Sequence, residues 1–291
     1  MTVETASDRT TPAHPQGNPG PRGRALVRRH SPLVRIAHWV NVVCILFLVM
    51  SGLQIFNAHP ALYIGQKADF GNPVMSMTAR NSPAGPLGET HILGKTFNTT
   101  GVLGVSTTDG QLQARGFPSW ITVPSYQDLA TGRRWHFFFA WLFVVNGAVY
   151  LIASLADRHV WRDLVPSRAQ LRGIGRSIGD HLRLRFEHGR DYNVLQKLTY
   201  LLMIFIVLPL IIVAGMTMSP GLDTASPWLL DAFAGRQTAR TIHFIAATAI
   251  VLFVIVHVVM VLISGFWNNM RSMITGRYAI APESEAAGDG R

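Results

Sequence analysis

The stretch Thr241–Gly265, TIHFIAATAIVLFVIVHVVMVLISG, decides how the chain is read. It is 25 residues of almost unbroken apolar sequence, and about 20 such residues cross the hydrocarbon core of a bilayer as a helix. Two histidines interrupt it, His243 and His257. Ionisable side chains inside a membrane span are costly and by default mark function. Fourteen residues rise about 21 Å along a helix and fall only about 40° short of four turns. Both imidazoles therefore leave nearly the same face of one helix, one toward each side of the membrane.

Working outward, the 291 residues are 48% hydrophobic and only 14% charged, a membrane-protein composition. Three further runs pass the length test, at about Val34–Phe56, His136–Ala156 and Leu198–Met218. The last contains Pro209, which neighbouring helices accommodate in a membrane. The fold expected is an all-α integral membrane four-helix bundle, with a long external loop (57–133) between helices 1 and 2. Residues 1–30 and 279–291 read as disordered tails around a membrane domain at 31–278. The Pro/Gly/Arg-rich start lacks the apolar core of a cleavable signal peptide, so the first helix is expected to direct insertion.

The net charge of +10 raises nucleic acid as a partner, but the arginines do not form one patch. Arg22, Arg24, Arg28, Arg29 and Arg35 precede or open the first span. Arg158, Arg162, Arg168, Arg172, Arg176, Arg183, Arg185 and Arg190 separate spans two and three, and Arg271 and Arg277 follow span four. This distribution follows the positive-inside rule, placing both termini and the middle loop in the cytoplasm. Membrane lipid, not nucleic acid, is the partner it implies. Within the middle loop, Leu171, Ile174, Ile178 and Leu182 fall at helical spacing among arginines, as in a helix lying on an anionic membrane surface.

Ser31-Pro32 reads as a helix N-cap followed by proline at the first helical position. In the external loop, Asp109-Gly110 sits between two short strand-like runs and predicts a hairpin. Trp120, Tyr126 and Trp135 suit a membrane–water interface. The single cysteine, Cys44, lies inside the first span and reads as a small packing residue. It permits neither an intramolecular disulfide nor a Cys-x-x-Cys-His haem attachment.

Topology sorts the eleven histidines by depth. Span four runs from outside to inside, which puts His243 near the outer face and His257 near the inner. Span two opens at the outer face with His136, and span one at the inner face with His38. Two pairs result, His136 with His243 and His38 with His257. Each supplies two nitrogens to a six-coordinate iron, and bis-histidine haem leaves no site open for substrate, as electron transfer requires. His30, His59 and His91 are the alternatives, with His59 competing for the place of His136. Structural zinc needs four ligands close together, which pairs at opposite faces do not offer. A different class of reading is a haem-free transporter or proton relay built on intramembrane histidines; it predicts no bound chromophore.

The segment His30–Trp39, HSPLVRIAHW, resembles the opening of bacterial di-haem cytochromes b, the b561-like subunits of nickel-iron hydrogenases, formate dehydrogenases and thiosulfate reductases. Thr131–Phe137, TGRRWHF, looks like the start of their second helix, and the His243/His257 spacing matches their fourth. The likeness covers about Ser31–Gly276. It implies a four-helix membrane domain with two b haems, and carries the axial-ligand roles onto His38, His136, His243 and His257. The loop between helices 1 and 2 is longer here than in many formate dehydrogenase members. The FPSW and TGRRWHFFFAW segments look most like members associated with periplasmic molybdenum-cofactor oxidoreductases.

The expected function is therefore electron transfer across the bacterial inner membrane, between the quinone pool and a periplasmic, molybdopterin-dependent oxidoreductase. Arg35, Asn41, Asn193, Gln196 and Lys197 are polar candidates for an inner-face quinone site, with Arg35 and Gln196 preferred. Arg133, Arg134 and Arg240 are candidates for haem propionates, because guanidinium pairs well with carboxylate.

Overall fold

The computed structural model describes residues 25–83, 85–157, 164–182 and 193–280. Arg22, Arg24, Arg158, Arg162, Arg183, Arg185, Arg190, the side chain of Leu182 and most of both expected tails lie outside these residues.

Among the described residues, four helices are long and apolar enough to cross a membrane: α1 (Pro32–Asn57), α2 (Leu129–Ala156), the segment Val194–Met216, and α9 (Arg236–Ile263), the last preceded by the short helices α7 (Pro220–Ala225) and α8 (Trp228–Ala232). The third is composite. Helix α5 (Val194–Leu202) passes through a π-helical turn (Met203–Val207) into α6 (Leu208–Met216). Pro209 lacks the N–H that a regular ladder would require there, and a local change of helical pitch absorbs the missing bond.

Capping side chains set the helix starts. Ser31 accepts from the Val34 N–H with Pro32 at the first position, as the sequence predicts. Asp128 accepts from both the backbone N–H and the hydroxyl of Thr131, so α2 begins seven residues before the apolar run at His136. Asn193 and Gln196 form a reciprocal capping box at the start of α5. Helix α9 likewise begins before Thr241, at Arg236. In each case the added turn is polar and interfacial, so hydrophobicity alone does not reveal it.

Helix α1 packs along α2, and α6 along α9. The seam between these pairs is filled by Cys44, Phe139 and Phe143, with Val40, Phe47, Leu208 and Ile212 against them. Cys44 is fully buried. Asn146 of α2 donates to the Ala37 carbonyl (2.9 Å) and to the Asn41 side-chain oxygen (2.8 Å) of α1, polar glue of the kind that fixes helices in lipid. Outward, Ile36, Leu46, Phe138, Trp141, Ile152, Leu252 and Ile255 are exposed; in a bilayer this surface meets lipid.

Residues between α1 and α2 correct the all-α expectation. They fold as an antiparallel sheet of β2 (Ala61–Leu62), β3 (Met75–Ser82), β4 (Gly85–Ile92) and β5 (Lys95–Asn98), followed by the hairpin of β6 (Val105–Thr108) and β7 (Gln111–Ala114). The hairpin turns at Asp109 (φ 51°) and Gly110 (φ 76°), the two left-handed positions that an Asp-Gly turn supplies. At Gly88 a Cβ would come within 2.3 Å of the Leu103 carbonyl oxygen, so only glycine allows the hairpin to pack on β4.

Arg115 ties this sheet layer to the bundle. It is buried, and its guanidinium donates to the carbonyls of Phe117 and Ser125 and to the side chains of Gln54 and Thr122. Gln54, itself buried on α1, donates to the Tyr126 carbonyl. Asn57 and Phe117 exchange two hydrogen bonds, while Phe56, Leu62 and Met77 form a second core with Phe244 of α9 packed on it.

At the opposite end of the bundle, β1 (Ala25–Arg28) pairs antiparallel with β8 (Arg277–Ile280). Residues 25–28 and 279–280, expected in the tails, thus lie in this ribbon. The ribbon follows the short helix α10 (Phe266–Thr275), which ends at Gly276 with φ 79°. In the middle segment, α3 (Arg168–Arg172) and α4 (Ile174–Leu182) form with a break at Gly173. Leu171 and Ile178 are exposed there.

Candidate haem sites

Helices α1, α2 and α9 carry the four histidines singled out in the sequence, and the structure brings them together as His136 with His243 and His38 with His257. The rings of His136 and His243 have centroids 6.2 Å apart and planes at 62°. Those of His38 and His257 are 6.3 Å apart, at 72°. Two imidazoles bound end-on to one metal, through bonds of about 2.0–2.1 Å, have centroids about 6.4 Å apart. Both pairs therefore fit a shared metal atom between them, a spacing that simple ring packing does not require.

Hydrogen bonds orient the pair nearer the sheet. His243 Nδ1 lies 2.8 Å from the Ile211 carbonyl oxygen, which can only accept. The proton is therefore on Nδ1, and Nε2 keeps its lone pair. His136 Nδ1 lies 3.1 Å from the Ser51 hydroxyl, which itself donates to the Phe47 carbonyl at 2.5 Å. With its proton directed there, the hydroxyl accepts from His136, whose Nε2 likewise keeps its lone pair. Fixing one ring nitrogen through a hydrogen bond is how proteins set the tautomer of a metal-binding histidine.

Two glycines back the same pair. A Cβ on Gly52 of α1 would stand 3.4 Å from His136 Cε1, and one on Gly215 of α6 would stand 3.1 Å from His243 Cε1. Both imidazoles thus lie against bare backbone. At the other pair, Phe253 stacks on His257 at 5.9 Å, and Trp39 beside His38 donates its indole N–H to the Met273 carbonyl at 3.3 Å.

A family profile described as prokaryotic cytochrome b561 matches residues 29–276. The chain belongs to the prokaryotic cytochrome b561 family. As such it is an integral membrane cytochrome of the haem b class that serves electron transfer. The cytochrome is also 29% identical, over 234 residues, to a protein of Azospira oryzae named putative protein-methionine-sulfoxide reductase subunit YedZ1. That alignment covers 80% of this chain and 89% of the relative.

The other candidate residues of the cytochrome occupy varied positions. His59 does not face His243; its ring stacks on Tyr63 and meets Phe70 edge-on. Burial and the nearby Arg240 charge hold its pKa below the usual histidine value. His91 sits in the sheet between the hydroxyls of Thr78 and Thr96, and His30 lies beside the β1/β8 ribbon. Among the described residues, no group of three or more His, Cys, Asp or Glu side chains gathers as a metal site.

Arg240 donates to the His59 carbonyl at 2.5 Å and lies over the Phe56 ring, one turn before His243. Arg133 and Arg134 are exposed at the start of α2, Arg133 over Phe137. Of the polar candidates at the other end, Asn41 is engaged by Asn146, Asn193 caps α5, and Lys197 donates to Gln170 of α3 at 3.4 Å. Gln196 closes its capping box, and Arg35 donates to the Ile274 carbonyl. Sequence reasoning missed Ser51, Gly52, Gly215 and the Ile211 carbonyl. Small residues on helices facing the histidines were the available signal.

Proposed function

We propose that this cytochrome holds two b haems, one between His136 and His243 and one between His38 and His257, and connects a periplasmic oxidoreductase to the quinone pool of the bacterial inner membrane. The observation that carries this reading is the 6.2 and 6.3 Å ring separations of the two pairs. His243 and His257 are separated by about 21 Å of rise along α9, and haems held by the two pairs would supply one-electron relay chemistry with both axial positions filled by histidine.

The chain's own residues do the rest. Ser51 and the Ile211 carbonyl hold the imidazole tautomers, and Gly52 and Gly215 leave room beside the rings. Arg240, Arg133 and Arg134 are proposed to hold propionates at the sheet end. There the β2–β7 layer offers the docking surface for the partner, with both chain termini on the cytoplasmic side. The naming of the Azospira relative as a reductase subunit supports a reductase as that partner; a molybdopterin-dependent enzyme remains our reading of the FPSW and TGRRWHFFFAW segments. At the ribbon end, the Gln196 amide and the Arg35 guanidinium are proposed to receive quinone; Gln196 Oε1 is committed to the Asn193 N–H at the start of α5, and Arg35 Nη1 to the Ile274 carbonyl of α10.

A reduced-minus-oxidised visible spectrum of purified protein, with haem counted per chain, tests the reading. Two haems of b type, both reduced by quinol, are the expected result. Folded protein with no haem absorbance overturns it and favours the histidine-relay transporter.

A further inference from the structure

The end of the molecule farthest from the sheet carries a recess of about 410 Å³ lined by Leu26, Arg28, His30, Arg35, Thr275 and Arg277. The strand period explains the lining. Alternate residues of an extended chain project from one face, so 26, 28 and 30 come from one side of the ribbon and 275 and 277 from the other. Their neighbours turn away; Arg29 stacks over the Tyr278 ring at 4.5 Å.

The electrostatics of this recess are unfavourable as it stands. Arg28 and Arg277 are directly paired across the ribbon, and like charges opposite one another destabilise a strand pair. Arg35 adds a third guanidinium. Its Nε is buried without a hydrogen-bond partner, while its Nη1 donates to the Ile274 carbonyl. Among the described residues the ion pairs are Arg80–Glu89 and His91–Glu89, both in the sheet layer, so no described carboxylate meets these three arginines. Three guanidiniums converging on a polar recess at the end of a membrane bundle present the donor set that planar forks offer to phosphate oxygens.

We propose that the recess formed by Arg28, Arg35 and Arg277 binds a phosphate group. The source is either the headgroup of an anionic phospholipid, which basic pockets at the cytoplasmic ends of helices recognise, or a soluble phosphate. This goes beyond the electron-transfer reading and requires only that the helices span a membrane; because Arg35 is also proposed to receive quinone, the test varies Arg28 and Arg277, which that reading does not use. The site explains why β1 and β8 close on each other with arginines face to face: the bound anion neutralises the pair and joins both ends of the chain to the start of α1.

Native mass spectrometry on full-length, haem-loaded protein tests the site. The protein is titrated with phosphatidylglycerol, with phosphatidylcholine, and separately, in a thermal-shift assay, with inorganic phosphate. The comparison variants are Arg28→Gln/Arg277→Gln and, as a cationic control outside the recess, Arg271→Gln. Phosphatidylglycerol is expected to bind more tightly than phosphatidylcholine, and the double variant to weaken it by about fivefold per arginine, with Arg271→Gln unchanged. Loss of an inorganic-phosphate stabilisation in the double variant, with lipid binding unaltered, also supports the site and assigns it to a soluble phosphate. If neither probe distinguishes the double variant from the parent, or Arg271→Gln weakens binding equally, the site is overturned in favour of diffuse surface charge. Arg28→Gln alone, at an exposed position, replaces the double variant if that protein does not fold. The haem spectrum reports separately on the electron-transfer reading.

Discussion

The Nδ1 of His243 on α9 lies 2.8 Å from the Ile211 carbonyl oxygen on α6. That contact crosses from one membrane helix to the next and joins the composite third span to the His136/His243 pair. His136 has its own equivalent in Ser51 on α1. One imidazole is thus held by a backbone acceptor that mutation cannot delete, the other by a hydroxyl that it can.

The asymmetry makes Ser51 the informative position. Ser51→Ala removes the acceptor for His136 Nδ1–H while leaving the helix a strong helix former. Loss of such an outer-shell partner typically weakens metal retention by about 10–100-fold. The haem proposed at His136/His243 should therefore be lost more readily during competition with a haem scavenger, and its midpoint potential should move, while the one proposed at His38/His257 keeps its spectrum. Redox titration with haem quantification reads both. Identical titrations for variant and parent would mean that Ser51 does not orient the ligand.

The two backing glycines separate by distance. Alanine in a helix interior is favoured over glycine by about 0.5–1 kcal/mol, so absent a clash either replacement stabilises. At Gly52 the new Cβ stands 3.4 Å from His136, an ordinary contact; at Gly215 it stands 3.1 Å from His243, which must give way. Gly52→Ala should retain both haems and match or exceed the parent's thermal stability. Gly215→Ala should displace the His243 ring and alter the low-spin haem signal in electron paramagnetic resonance. Equal behaviour of the two variants would remove the role assigned to Gly215.

The spans were readable because a helix in lipid needs about 20 apolar residues and little else produces such runs. The start of α1 was readable too, in Ser31-Pro32, but those of α2 and α9 were not: Asp128 and Gly235 precede polar turns that hydropathy discounts. The pairing of His136 with His243 and His38 with His257 could be read because helical rise and the alternating direction of the spans set their relative depths. The sheet was mostly illegible, since MSMTARNS in β3 buries only Ser76 and Met77 and shows no sustained alternation. Only the Asp109-Gly110 hairpin carried a local signal. The β1/β8 ribbon joins segments at opposite ends of the chain, and a pairing that remote leaves no periodic trace in either strand.

Arg115 is the position at which the sheet layer should come loose. Its guanidinium serves four acceptors and is buried with Gln54. Hydrogen bonds to charged groups are worth about 1.5–3 kcal/mol, and orphaned buried acceptors add their own desolvation cost. Arg115→Ala should therefore destabilise the layer by about 3 kcal/mol or more. Limited proteolysis should cut within residues 58–128 while the haem at His38/His257 keeps its spectrum. Arg115→Lys, which keeps the charge but not the fork, should fall between the two. Unchanged protease resistance in Arg115→Ala would place the anchorage elsewhere, in Asn57 and the Phe56 core.

Acid should release the start of α2 through Asp128. The Thr131 backbone N–H, and then its hydroxyl, hold the Asp128 carboxyl below its usual range. A carboxylate whose folded pKa is depressed contributes its stability above the unfolded value, near 4 (about 3.9 for Asp). That contribution is lost as the pH falls through the depressed folded value. Asparagine caps a helix as well as aspartate does but does not titrate. Asp128→Asn should therefore match the parent at neutral pH and lose less thermal stability between pH 5 and pH 3 (about one unit to either side of the carboxylate range). Asp128→Ala should be less stable than both at neutral pH. Because His136 follows Asp128 by two helical turns on the same helix, the haem nearer the sheet should register the same ordering. Its Soret band, followed against pH in the three proteins, should collapse at the highest pH in Asp128→Ala; coincident collapse in all three would show that this cap does not govern the ligand's position.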